Sequence, residues 1–176
     1  MTNLRNCLDT ASIYVSTYAK YNNCSLFGKW LNLSDYSDYD ELLTAMYELH
    51  CDEQDPEFLL SDYEGCSLFE KLGLISEYHI SKDVYEIAEQ INDSGHDIEV
   101  FEAVLDNFLD MDFQSAYEYA NNFYCGEFAN DIEFVQEFYE NDIPFNLPHF
   151  VCIDWQATAH NIMYDHFESS GHYFRS

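Results

Sequence analysis

Between Asp83 and Phe174 the sequence contains no lysine and no arginine. The same stretch holds twenty carboxylates, so no Lys or Arg within it can neutralise them. Over the whole chain, 34 acids face 6 bases, for a formal net charge of −28. Direct binding to DNA, RNA or an anionic membrane depends on Lys and Arg and is excluded as a main activity. The expected partners are positively charged surfaces.

Other scarcities exclude other chemistries. The six glycines never cluster, and neither a G-x-G-x-x-G turn nor a Walker A loop occurs. The six cysteines form no C-x-x-C pair. With a polar Met1–Thr10 opening in place of an export signal, they read as reduced thiols of a cytoplasmic protein. No apolar run reaches the 18 residues of a membrane span. A calcium loop starting at Asp110 would use Asp112 and Gln114, but has Ser115 where Gly is needed and Asn121 where Glu is needed. His149 with Cys152, and His160 with His166, lack the spacing of a four-ligand zinc site. His50 and Cys51 are adjacent, which points their side chains apart rather than into a nucleophile–base pair. No metal, cofactor or catalytic constellation is expected, and the chain reads as a non-enzyme.

What is present is a core. Apolar residues make up 47% of the chain, with 15 Tyr and 14 Phe, which argues for folding despite the charge. Ala11–Tyr18 alternates as a strand, Asn22–Asn23 reads as a turn, and Leu26–Leu33 reads as its hairpin partner. Ser34–Ser37 offers N-caps for a helix over Asp38–His50. Asp52–Gly65 reads as an acidic loop returning to the core at Phe58–Leu60, and Cys66–Ile75 as a short helix closed near Gly73. Ser81 is expected to cap a helix with Val84, Ile87, Ala88 and Ile91 inward, ended by Ser94–Gly95. Helices follow over Asp97–Asp110, Phe113–Phe123 and Asn130–Asn141. Pro144 and Pro148 hold the next connection extended. Phe150–Ile153 reads as a buried strand, Asp154–Phe167 as a helix and His172–Phe174 as a last strand. The fold class is α+β, an elongated chain of three small subdomains: a β-hairpin and helix over 1–74, a helical acidic part over 75–123, and an α+β part over 124–176.

The acids are placed at helical intervals. Glu99, Glu102, Asp106 and Asp110 fall at steps of three, four and four, which makes one ridge on a helix. Phe101, Val104, Leu105 and Phe108 take another face. Glu133, Glu137 and Glu140 repeat the pattern at steps of four and three. Asp83, Glu86, Glu89, Asp112, Glu118 and Asp131 extend the proposed acidic surface. Acids so spaced lie about 5–6 Å apart, comparable with neighbouring phosphates. Duplex DNA carries about one charge per 1.7 Å of axis, so −28 matches roughly 14 base pairs and a homodimer roughly 28. A folded polyanion of this kind can copy the backbone part of DNA recognition, though not base readout. A DNA mimic competing for a DNA-binding protein is the leading expectation. An acidic chaperone or sequestering module for basic nucleic-acid-binding proteins is the alternative.

Three blocks carry a resemblance. Ile13–Leu33 (IYVSTYAKYNNCSLFGKWLNL), Glu48–Gly65 (ELHCDEQDPEFLLSDYEG) and Ile153–Asp165 (IDWQATAHNIMYD) resemble, in order, the opening, acidic and C-terminal segments of the ArdA antirestriction family. His160 and Asn161 stand where members often carry an Arg–Asp pair, so a local ion pair there is not carried over. The resemblance implies an elongated homodimer of three-part subunits that mimics double-stranded DNA. It implies inhibition of type I restriction–modification enzymes through the groove of their specificity and methyltransferase subunits. It also implies carriage on mobile genetic elements in a bacterial cytoplasm. The family's dimer contact maps onto Asp154, Trp155, Ala157, Ile162 and Tyr164.

Overall fold

The computed structural model describes residues 7–108, 110–142 and 147–176. The fold is α+β, with helices and three small antiparallel sheets, as the sequence leads one to expect. Its contacts group into two compact units, Met1–Ile98 and Glu99–Ser176.

The first unit is built on β1 (Ser12–Thr17), the central strand of a sheet ordered β2-β1-β3. β1 pairs antiparallel with β2 (Lys29–Asn32), placing Ile13 opposite Leu31 and Tyr14 opposite Trp30. The hairpin is not closed by a turn at Asn22–Asn23 alone. A one-turn helix, α1 (Tyr18–Asn22), intervenes, capped by the Thr17 hydroxyl, which accepts from the Lys20 N–H. α2 (Tyr39–Leu49) buries Leu42 and Met46. Its cap is Asp38 rather than a residue of Ser34–Ser37. The Asp38 carboxylate accepts from the Glu41 N–H at 2.9 Å, while Glu41 reaches back to the Ser37 N–H and hydroxyl.

The acidic loop expected over Asp52–Gly65 contains a full strand, β3 (Phe58–Glu64). Its register against β1 shifts between Tyr14 and Val15, which pair with Asp62 and Leu60. Ser61 is the extra residue of a bulge, and Leu59 and Leu60 are both buried. α3 (Ser67–Lys71), the two-residue strands β4 (Ile75–Ser76) and β5 (His79–Ile80), and α4 (Asp83–Ser94) complete the unit. Val84, Ala88 and Ile91 form the buried stripe of α4. Ser81 does not occupy the N-cap; Lys82 does, and the Ser81 hydroxyl accepts from the Asp83 N–H at 3.2 Å. Gly95 closes the helix in the left-handed conformation, φ +77°.

The second unit holds α5 (Ile98–Asn107), α6 (Phe113–Phe123), β6 (Tyr124–Glu127), α7 (Asp131–Phe138), α8 (Trp155–Ile162), β7 (His166–Ser169) and β8 (His172–Arg175). Its sheet runs β6-β8-β7. Cys125–Gly126, expected as a boundary, lies inside β6, where Cys125 is the bulged residue between Tyr124 and Gly126. The helix expected over Asp154–Phe167 stops at Ile162, passes through a 3-10 turn over Met163–Asp165, and gives way to β7. Phe150–Ile153 is not a buried strand: Phe150, Val151 and Cys152 are exposed and unpaired with any sheet. Pro144 lies outside the described residues. Phe134, Val135, Ala159 and Tyr173 form a buried cluster, with Trp155, Ile162 and Met163 packed against it.

At Gly65 the backbone is left-handed, φ +64°, and a side chain would collide with the Thr10 carbonyl. Both effects penalise any other residue. Gly65→Ala is expected to lower the unfolding free energy by about 2 kcal/mol or more in urea titration, with the slope unchanged.

Candidate functional site

Helix geometry places the acids, and burial of the opposite face holds them there. On α4, Glu86, Glu89 and Asp93 are exposed and Asp83 is half-buried, while Val84, Ala88 and Ile91 are buried behind them. On α5, Glu99 and Asp106 are exposed and Glu102 is half-buried, backed by Val100, Phe101, Val104 and Leu105. Asp110 does not continue this ridge. The helix ends at Asn107, and Asp110 sits in a turn with φ +67°. On α7, Glu137 is exposed and Glu133 half-buried, and exposed Glu140 belongs to a separate 3-10 turn.

Some of these acids also hold the fold. Asp112 caps α6 by accepting from the Ser115 N–H at 2.8 Å, and this bond holds its carboxyl below the usual range. Asp131 accepts from the Tyr173 hydroxyl at 2.8 Å, Glu133 from the Ala129 N–H at 2.6 Å and Glu118 from the Gln114 amide at 3.1 Å. The calcium loop considered at Asp110–Asn121 is replaced by α6, whose helical backbone cannot wrap an ion.

The charge is not confined to residues after 83. The first unit carries 19 acids and 5 bases, the second 15 acids and 1 base, so each has a net charge of −14. Asp35, Asp40, Glu48, Asp55, Asp62 and Glu77 are all exposed in the first unit. In the sequence their excess is masked by the lysines scattered through that half. The signal was the local excess of acids, not the absence of bases. No Asp or Glu is buried among the described residues.

A depression of about 1010 Å³ lies in the second unit, lined by Asp131, Asp154, His160, Glu168 and Tyr173 among others. Its carboxylates do not converge on a substrate position. Asp154 caps α8 through the Ala157 N–H at 3.0 Å, Glu168 accepts from the Gly171 N–H at 2.6 Å, and Asp131 holds Tyr173. His50 is buried and Cys51 exposed, as expected from their adjacency. Burial pushes the Cys7 and Cys66 thiols up to about 11, so both stay protonated at neutral pH. No helix among the described residues is long and apolar enough to cross a membrane.

The sequence profile described as "Antirestriction protein (ArdA)" matches residues 13–174 of the 176. This chain belongs to the ArdA antirestriction family. No curated protein and no solved structure matches it. Membership assigns an antirestriction role, that of an inhibitor acting on restriction enzymes. The residues that resemble ArdA now have places. Ile13–Leu33 spans the β1–β2 hairpin, Glu48–Gly65 runs from the end of α2 through β3, and Ile153–Asp165 covers α8 and the turn after it.

Glu89 on α4 has Glu86 three residues before it and Asp93 four after. Like charges at these spacings destabilise a helix by about 0.2–0.5 kcal/mol per pair. Glu89→Gln is therefore expected to raise the melting temperature in low salt. The gain should shrink in 0.5 M NaCl, where the Debye length is only a few ångström.

Proposed function

We propose that this ArdA-family chain is a folded mimic of double-stranded DNA. It occupies the DNA groove formed by the specificity and methyltransferase subunits of type I restriction–modification enzymes. The observation that carries this reading is the equal charge of −14 on each unit, presented by helices whose opposite faces are buried. Each unit then matches roughly 7 base pairs of duplex. Asp83, Glu86, Glu89, Glu99, Glu102, Asp106, Glu137 and Glu140 serve as phosphate substitutes. Asp110, Asp112, Glu118, Asp131 and Glu133 add charge, the last four while also holding the fold.

The chain works as a homodimer in the cytoplasm of a bacterial host, with a three-part division at 1–74, 75–123 and 124–176. Its dimer contact uses Asp154, Trp155, Ala157, Ile162 and Tyr164. Tyr164, in the 3-10 turn after α8, is 74% exposed and Ala157 on α8 is exposed, which supports an unfilled surface there. Trp155 and Ile162 also pack on the chain's own core, so they would support the contact from behind.

The electrostatic part of such binding is spread over many groups. A single Glu99→Gln change is expected to leave inhibition of a type I enzyme within about twofold. Reversing Glu99, Glu102 and Asp106 together to Lys is expected to weaken it by about 100-fold or more, since like charges across an interface cost several kcal/mol. Affinity should also fall by about 10³–10⁵ between 50 and 200 mM salt. Unchanged inhibition by the triple variant would remove α5 from the contact surface. Equal binding to unrelated basic proteins would favour a general sequestering module instead.

A further inference from the structure

We propose that His50, Asp52 and Glu53 form a binding site for a first-row divalent cation, closed in this structure by the ammonium of Lys20. The proposal is independent of DNA mimicry. One nitrogen of His50 and one carboxylate oxygen each of Asp52 and Glu53 lie within 4.8 Å of one another. A cluster of acids would not by itself indicate a site. The imidazole does. His50 is fully buried, at 0% exposure, and neither ring nitrogen has a hydrogen-bond partner. Buried polar atoms are nearly always paired, so two orphaned ring nitrogens beside two carboxylates need an explanation.

The ring is fixed in place by aromatic neighbours. Phe27 meets it edge-on with centroids 5.6 Å apart, and Phe58 lies at 6.2 Å on the other contact. A neutral imidazole is the form of histidine that ligates metals. The Val15 carbonyl also faces the ring, without the geometry of a hydrogen bond. The donor set is one imidazole and two carboxylates, which suits Mn²⁺, Fe²⁺ or Zn²⁺ better than Mg²⁺ or Ca²⁺.

A cation already stands there. Lys20 Nζ donates to Glu53 at 2.6 Å and to Asp52 at 2.9 Å, and the Thr17 hydroxyl donates to Glu53 at 2.7 Å. The site is built for positive charge. A divalent ion would take both carboxylates and also accept the lone pair of a His50 ring nitrogen, to which the Lys20 ammonium makes no bond here. From the same position the Lys20 ammonium lies 5.2 Å from the centre of the Phe27 ring. Binding would join the C-terminal end of α2 to the turn that follows it, beside the end of β1.

The test is Mn²⁺ binding to the full chain, followed by loss of the free-ion electron paramagnetic resonance signal. Excess Mg²⁺ and 0.2 M NaCl suppress diffuse binding to surface carboxylates. Wild type is expected to bind one Mn²⁺ per chain above this background. Asp52→Asn, at an exposed position that cannot upset the core, is expected to weaken it by about tenfold or more, and His50→Phe to do the same. Lys20→Met is expected to tighten it, because the competing ammonium is gone. Mn²⁺ binding that is equal in wild type and Asp52→Asn, or weaker in Lys20→Met, would overturn the proposal.

Discussion

Mutual repulsion among carboxylates is the constraint that the whole molecule answers to. A net charge of −28 on 176 residues opposes compaction. The answer is geometrical. Each acidic helix turns its carboxylates outward and buries a stripe of Val, Ile, Leu, Phe or Ala, and no acid is buried among the described residues. Burial of a large aliphatic or aromatic side chain contributes about 1.5–3 kcal/mol, while an exposed like-charge pair costs only a few tenths. A well-packed interior therefore outweighs the repulsion with few cancelling cations.

The abundance of tyrosine follows from the same constraint. A phenol donates a hydrogen bond without adding positive charge. In the second unit, whose base count is one, tyrosines supply connections that lysine and arginine supply elsewhere. Tyr173 donates to Asp131, Tyr119 to the Arg175 carbonyl, and Tyr139 and Tyr124 pair with the buried His166 and His172. Aromatic rings fill the core as well: Tyr173 stacks on Phe134 at 4.6 Å, and Phe167 on Phe174 at 4.9 Å. The interior can thus be held together while the surface keeps one sign of charge.

Much of this was legible in the residues, and the exceptions have physical causes. The helices read well where apolar residues recur at three and four, as in Val84, Ala88 and Ile91 or Phe113, Ala116 and Ala120. β3 was missed because its bulge at Ser61 breaks the alternation and leaves Leu59 and Leu60 both inward. Phe150–Ile153 looked like a buried strand because four largely apolar residues can serve a core or a surface, and local pattern cannot tell which. The ridge on α5 was placed correctly as far as Asp106, but Asp110 was carried one turn too far. The grouping of His50 with Asp52 and Glu53 depends on a turn after α2 and on Lys20 arriving from α1, which no periodicity reveals.

If the carboxylates stand in for phosphates, the protein and a DNA duplex must exclude one another on the same enzyme. The direct measurement is equilibrium competition for a type I restriction–modification enzyme between this chain and a duplex carrying that enzyme's recognition site. The account predicts strict one-for-one displacement, with the apparent affinity of each falling in proportion to the concentration of the other. A ternary complex holding both duplex and protein at saturation would contradict it.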